Sequence, residues 1–288
     1  MTQDSNANCS TQTTAESEWF QTSIGHYVQD KEQALYDQAV FDLFGFNALQ
    51  MGATQLALLR NSRIPNRFVA ASHQVSTGQI YCEDDFLPFP EMSLDLLLLP
   101  HRLEFSPRPH QTLREATRVL MPEGHLIITG FNPMSFWGIK SLVKKVVYYL
   151  RFKKYDEFPI KMYPWNANMI RLSRLKDWLA LLGFEVVQIE KVCHMPPFSN
   201  EKLQRRFLWL DHLSKSKFGA LGYHRFGGVY FIVAKKRQPG LTPLKPQWKV
   251  PKLPHGLIVR PTAPKTNQHH KLTDHQKSEK TANGKSRN

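Results

Sequence analysis

The sequence predicts an α/β fold built on a mostly parallel sheet. Between residues 20 and 237, short β-prone segments alternate with segments of helical periodicity. One of the short segments, LDLLLL (Leu94 to Leu99), is almost unbroken in apolar character, which suits a central strand covered on both faces. Turn residues bound the strand-like runs.

In chain order, Leu35, Ala39 and Leu43, flanked by Tyr36, Val40 and Phe44, mark an amphipathic helix that leads into a first strand, NALQMG (Asn47 to Gly52). RFVAAS (Arg67 to Ser72) and GQIYC (Gly78 to Cys82) read as the second and third strands, and LDLLLL as the fourth. Leu113, Ala116, Thr117 and Leu120 share a helix face, and Pro122 and Gly124 are expected to end that helix before the fifth strand, HLIITG (His125 to Gly130). A long insertion follows. Met169, Leu172, Leu175, Leu179 and Leu182 then line one side of a helix for which Gly183 is a suitable C-terminal cap. FEVVQIEKV (Phe184 to Val192), a helical stretch from Asn200 to about Lys217, and GGVYFIVAKK (Gly227 to Lys236) complete a count of seven strands.

Charge divides the chain unevenly. The net charge is +14, and Lys235 to Asn288 hold 13 Lys or Arg against 2 Asp or Glu, which leaves +3 for residues 1–234. This C-terminal stretch is rich in proline up to Pro264 and then almost free of large apolar residues, so residues 238–288 are expected to form a disordered basic tail. The tail suits weak contact with nucleic acid or an anionic surface, or serves as a solvated tail that aids solubility. Residues 1–19 are polar and acidic and are read as a disordered N-terminal tail rather than a secretory signal. No apolar run approaches the ~18 residues of a membrane span. Cys9, Cys82 and Cys193 lack metal or disulfide spacing, and a cytoplasmic location is expected. Within the insertion, Met134 to Tyr155 is expected to form an amphipathic helix over the pocket mouth. Trp137, Leu142, Val146 and Leu150 would face the domain, with Lys140, Lys144, Lys145 and Lys154 in solvent. Such a helix is either a lid that meets an apolar acceptor or a membrane surface, or one packed on the sheet edge.

The stretch from Cys82 to Pro133, with an acid after strand three, LPFP, a Ser-Leu-Asp turn into strand four, His101 just beyond it, REATRVLMPEG and GFNP, resembles the type 11 family of class I S-adenosylmethionine (SAM) dependent methyltransferases. GFNPMSFWGIK, RLKDWLALLGFEV and the Lys/Pro-rich tail further resemble a little-characterised proteobacterial group of that family. The resemblance implies a Rossmann-like, seven-stranded sheet over residues 20–237, SAM as cofactor, and methyl transfer to an acceptor. Counting back from LPF, it places Glu83 at the adenine, with Asp84 and Asp85 as neighbours that could substitute and Phe86 beside them. It also places Gly52 under the cofactor and His101 near the transferred methyl, as a general base or as pocket wall.

The chain departs from the family pattern in its first loop. Where members carry Asp-x-Gly-x-Gly-x-Gly, this sequence has Gln50, Gly52, Thr54 and Leu56, and Ser72 and His73 stand where an acid would take the ribose hydroxyls. Two readings stay open: an active methyltransferase with a rearranged loop, and a catalytically silent relative that binds nucleic acid or another partner through its basic tail.

Overall fold

The computed structural model describes residues 15–71, 80–152, 163–198, 200–207 and 226–237. These lie in a first unit, Met1–Gly240; the second unit, Leu241–Asn288, and with it the expected tail, lies outside the described residues.

A short helix, α1 (residues 15–20), is followed by α2 (Ser23–Phe41), β1 (Asn47–Met51), β2 (Asn66–Ala71), β3 (Ile80–Tyr81) and β4 (Leu94–Pro100). Then come α3 (Pro109–Val119), β5 (Leu120–Phe131), α4 (Phe136–Phe152), α5 (Leu172–Leu181), β6 (Phe184–Val192), α6 (Glu201–Phe207) and β7 (Val229–Lys236). The seven strands form one sheet in the order β3-β2-β1-β4-β5-β7-β6. All neighbours from β3 to β5 are parallel, and β7 runs antiparallel to both β5 and β6. This is the Rossmann-like arrangement that the family resemblance implied. Strand order reverses between β1 and β4, so a crevice opens at their carboxyl ends.

The apolar run of β4 works as expected. Its side chains alternate between two cores: Leu97 and Leu99 pack with Leu113 and Val119 of α3 and Leu175 and Leu179 of α5. Leu96 and Leu98 pack with Tyr36 and Val40 of α2 and with Leu58, Leu59 and Ile64. A third core gathers Trp19, Phe20, Val28, Phe131, Trp137 and Tyr163 at the carboxyl end of β5. Gly183 follows α5 in the left-handed conformation (φ +81°), as a glycine cap does.

Three expectations change. Residues 15–19 are not part of a disordered tail, because Ala15, Trp19 and Phe20 of α1 are buried, and residues 1–14 lie outside the described residues. The aromatic pair supplies an anchor that the polar average of the segment concealed. The helix α3 ends at Val119 rather than at Pro122. Leu120 is already extended and pairs with Leu94, and a register shift accommodates Pro122 and Gly124 inside β5. Finally, α4 is turned the other way round. Leu142 and Leu150 are 62% and 70% exposed, while Lys145 Nζ donates to Ala167 O at 2.7 Å and Lys140 Nζ donates to Pro197 O. The ammonium groups find carbonyl acceptors on the domain and Trp137 is buried as expected, so the helix settles with its apolar stripe outward. Lys154, Ser72, His73 and residues 208–217 lie outside the described residues.

Leu98→Ala removes a fully buried side chain from between α2 and the sheet and is expected to cost about 2–5 kcal/mol in urea unfolding. Leu181→Ala, at an 85% exposed position of α5, is expected to leave stability within about 0.5 kcal/mol.

Candidate functional site

The crevice is built from the residues that leave β1 and β4. After β1 the chain turns through Gly52 (φ +77°) and Ala53 (φ +46°), both on the left-handed side of conformational space. Gly52 N donates to Ala70 O at 2.9 Å, which keeps the turn against β2. A side chain at Gly52 would run into Arg102, since an added Cβ would stand 2.6 Å from its Cδ. The φ favours glycine here, and any side chain would also have to displace that of Arg102.

Gln50 explains the altered loop. Its buried side-chain amide donates to Gly52 O, Ala53 O and Leu56 O at 3.2, 3.0 and 2.9 Å, and its Oε1 accepts from Leu58 N at 3.2 Å. A carboxylate accepts only, so it would face three carbonyl oxygens with nothing to donate. The glutamine is thus matched to a loop that folds its carbonyls inward.

At the end of β4, His101 adopts φ +51° and its backbone N donates to Thr129 O at 3.1 Å. Its ring is buried between two acids, with Nε2 2.6 Å from Glu32 Oε1 of α2 and Nδ1 3.2 Å from Glu104 Oε2. Burial by itself would lower the histidine pKa, but Glu32 and Glu104 outweigh it and raise it to about 10. A carboxyl group at each ring nitrogen favours the imidazolium, which can donate from both. Of the two roles expected for His101, this geometry suits the pocket wall; a general base needs a free lone pair. Glu104 Oε1 also accepts from Phe131 N, joining the group to β5. Burial pushes the Glu104 carboxyl up, with His101 pulling it back. Burial likewise raises the carboxyl of Glu16 on α1, against the pull of Arg102 and His101. Three polar atoms nearby are buried with no hydrogen-bond partner among the described residues: Glu32 Oε2, Tyr163 OH and Tyr230 OH.

The acidic turn after β3 divides its residues. Asp84 faces the crevice, where it pairs with the guanidinium of Arg102, Nε donating at 3.0 Å. Asp85 pairs with Arg108. Glu83 is exposed, and Phe86, which closes the turn by donating from its N to Glu83 O at 3.2 Å, is 72% exposed at the lip. The structure thus links Gly52 and Asp84 through Arg102, the residue after His101, leaves Glu83 and Phe86 exposed on the same turn, and ties Asp85 to Arg108.

Arg102, Glu32, Glu104 and Glu16 escaped the sequence reading. Arg102 and Glu104 had a signal, standing one and three residues after His101, whereas Glu32 is 69 residues away and Glu16 further still. Asn132, at the end of β5, serves the turn: its Nδ2 donates to Gly227 O at 2.9 Å and its Oδ1 accepts from Met134 N at 3.1 Å.

Residues 50–128 match the model of a methyltransferase domain. Over 221 residues the chain is 34% identical to the uncharacterized protein YafS of Escherichia coli (strain K12), covering 73% of this chain and 78% of that one. A SAM-dependent methyltransferase from Thermotoga maritima superposes with a TM-score of 0.50 at 18% identity, covering 77% of this chain and 94% of that one. One from Archaeoglobus fulgidus gives 0.49 at 18% identity over 72% and 94%. At such identities the likeness to the solved structures is one of fold.

Two outcomes test the geometry. Gln50→Glu, although it brings back an acid at this position, is expected to destabilise the domain by about 1–3 kcal/mol at neutral pH in chemical denaturation, because three buried carbonyls lose their donor. For His101, the folded pKa lies above the ordinary 6.5. The stability from its ion pairs is therefore full below about pH 6.5 and is lost as pH rises through about 10. Between pH 7 and 10 the melting temperature of the wild type should fall more steeply than that of His101→Asn; parallel curves would mean that the histidine does not hold the proton.

Proposed function

Because the chain belongs to the type 11 methyltransferase family, with the class I fold, we propose that it is an active SAM-dependent enzyme that binds SAM in the crevice between β1 and β4. The observation that carries this reading is Gly52, left-handed and without a side chain, at the carboxyl end of β1 opposite Asp84 and beside His101. When bound, SAM supplies an electrophilic methyl group on a sulfonium for in-line transfer to a nucleophilic acceptor.

The residues present fit that cofactor. Gly52 allows close approach of the backbone, and the exposed carboxylate of Glu83 and the exposed ring of Phe86 stand free at the rim to take the amino edge and the face of an adenine. Asp84 is a second carboxylate on the same turn, and Asp85, engaged by Arg108, supports the turn. The unpartnered Glu32 Oε2 gives the interior an acceptor beside His101, a surrounding that favours a cation over an anion. In this reading His101 acts as pocket wall, and Glu32 and Glu104 fix its orientation. Tyr163 is kept protonated by burial and by Glu16, Glu104 and Glu32, so its hydroxyl has a proton to donate. Arg102 has to turn off Gly52 to clear the space, exchanging its bond to Asp84 for solvent or for a carboxylate of the ligand. Trp19 and Phe20 of α1 pack on Tyr163, and this aromatic cover would help to keep water from a bound ligand.

A second reading, a catalytically silent relative that contacts nucleic acid or another partner through its basic tail, draws on the same crevice: Arg102 lies over Gly52 and Gln50 laces the first loop into a different course. Calorimetric titration with SAM and S-adenosylhomocysteine separates the two. On the active reading SAM binds measurably, and Glu83→Ala weakens it about tenfold through loss of a charge-assisted hydrogen bond. Arg102→Ala removes a part-buried ion pair worth about 1 kcal/mol that binding must break, and is expected to tighten SAM about fivefold. Absence of heat and of any melting shift with both ligands, on folded protein, would leave the silent reading.

A further inference from the structure

The carboxyl groups around His101 outnumber the cations that serve them. Glu16 of α1, Glu32 of α2, Glu104 and Asp84 share one electrostatic environment with His101 and Arg102. Arg102 is engaged by Asp84, and His101 lies between Glu32 and Glu104. Lys145 acts on Glu104 through space, but its ammonium is bound to Ala167 O at 2.7 Å. Four carboxyls against two cations leave two without a counter-charge. Burial raises the carboxyls of Glu16 and Glu104, so that protons stand in for the missing cation. Hydrogen bonds are missing at the same place. Glu32 Oε2 and Tyr163 OH are buried with no partner among the described residues, and the charges of Glu16, Glu104 and Glu32 all act on Tyr163. Tyr230 OH is unpartnered too and lies near Glu104: a Cβ added at Gly130 would stand 2.4 Å from that hydroxyl and 2.9 Å from Glu104 Oε1. Buried polar atoms without partners are costly, and three around one group of acids call for a partner that the chain does not supply. Glu32 and Glu104 are fully buried, whereas Glu16 and the Arg102–Asp84 pair keep some exposure, so solvent reaches the group from their side.

We propose that Glu16, Glu32, Glu104 and Tyr163 form the site of an amine, bound in its protonated form, and that this amine is the methyl acceptor. As an acceptor site it rests on the crevice binding SAM; as a cation site it does not. The surplus of charge selects the occupant. Water would complete the hydrogen bonds but leave the carboxylates unneutralised. A metal ion would neutralise them, yet no group of three or more His, Cys, Asp or Glu among the described residues is arranged to hold one. An anion would be repelled. An ammonium group carries a positive charge and N–H donors with no acceptor, which matches carboxylate oxygens and a hydroxyl oxygen. The Tyr163 ring is fixed by Phe105, stacked at 5.0 Å between ring centres, and by Trp19 at 5.4 Å, so the carbon skeleton of the amine meets apolar neighbours. For transfer the ammonium first gives a proton to a carboxylate, and Glu16, the one with exposure, passes it to solvent. The nitrogen electron pair so freed forms the new N–C bond while the C–S bond of SAM breaks. The electron pair of that bond stays on sulfur, leaving neutral S-adenosylhomocysteine and a methylated ammonium.

The test is calorimetric titration of the full chain with ethylammonium and benzylammonium chloride, against ethanol and benzyl alcohol as neutral counterparts of the same shape, at matched ionic strength and millimolar concentration. The ammonium compounds should bind about tenfold or more tightly than the alcohols, and should release protons as Glu16 and Glu104 ionise, read from the dependence of the heat on the buffer. Glu16→Gln, which keeps the shape of a half-buried side chain, should weaken benzylammonium about tenfold with the melting temperature unchanged, and Tyr163→Phe about threefold. Equal binding of alcohol and ammonium would overturn the proposal and assign the unpartnered atoms to water. Wild-type affinity in both variants would overturn it as well. S-adenosylhomocysteine titrated into the same protein keeps the two readings apart. If it binds and no ammonium compound does, with or without it, the amine site falls and the proposed activity stands; if an ammonium compound binds and it does not, the cation site stands without the methyl transfer.

Discussion

The arrangement of the crevice depends on one buried group of charges, the His101 ring held between Glu32 and Glu104. Taking three ionisable side chains out of water costs several kcal/mol for each ion, and the cost is offset only while each has a partner at hydrogen-bond distance. The three come from α2, from the end of β4 and from the turn after it, and Glu104 also receives Phe131 N from β5. Loss of one member would strand the others. The group therefore pins α2 across the carboxyl ends of the central strands. It also holds His101 at a positive φ that a non-glycine residue adopts only when its surroundings impose it.

Around that pin, the departures from the glycine-rich pattern form a consistent set. An amide at position 50 can donate to carbonyls that a carboxylate would repel, so the first loop folds its backbone toward Gln50. Of the pattern's glycines only Gly52 is kept; its φ favours glycine, and the Arg102 side chain packs against it. Arg102 in turn bridges to Asp84 across the crevice. Changing one of these residues toward the family pattern would disturb the partners of the others, since Gln50, Gly52, Arg102 and Asp84 are linked by direct contact.

The surface shows the same coupling of local pattern and long-range partners. Helix α4 has a well-formed apolar side and a well-formed basic side, and either could face the domain on periodicity alone. The carbonyl oxygens of Ala167 and Pro197 and the Trp165 ring decide in favour of the lysines, and burial of Trp137 from the same side completes the choice. Aliphatic residues are left in solvent at a density that a single domain has no use for by itself.

Most strand boundaries were legible in the sequence, because a side-chain period of two and the continuous apolar run of LDLLLL report directly on burial, whereas the order of the strands is not a matter of periodicity. That Gly52, the acidic turn and His101 follow strands β1, β3 and β4 was legible, and a parallel sheet with this connectivity brings the ends of those strands to one edge. The partners of these residues were not. Glu32 is buried against a histidine 69 positions away, and no local pattern distinguishes it from a solvated acid on a helix. The division of Glu83, Asp84 and Asp85 into rim, crevice and support follows from where Arg102 and Arg108 reach, and the side of α4 that faces out follows from acceptors supplied by residues 167 and 197. Sequence by itself determined what local periodicity and chain connectivity control; the tertiary structure alone decided which polar groups are paired, because the cost of burying a charge is settled by whatever distant partner stands within about 3 Å of it.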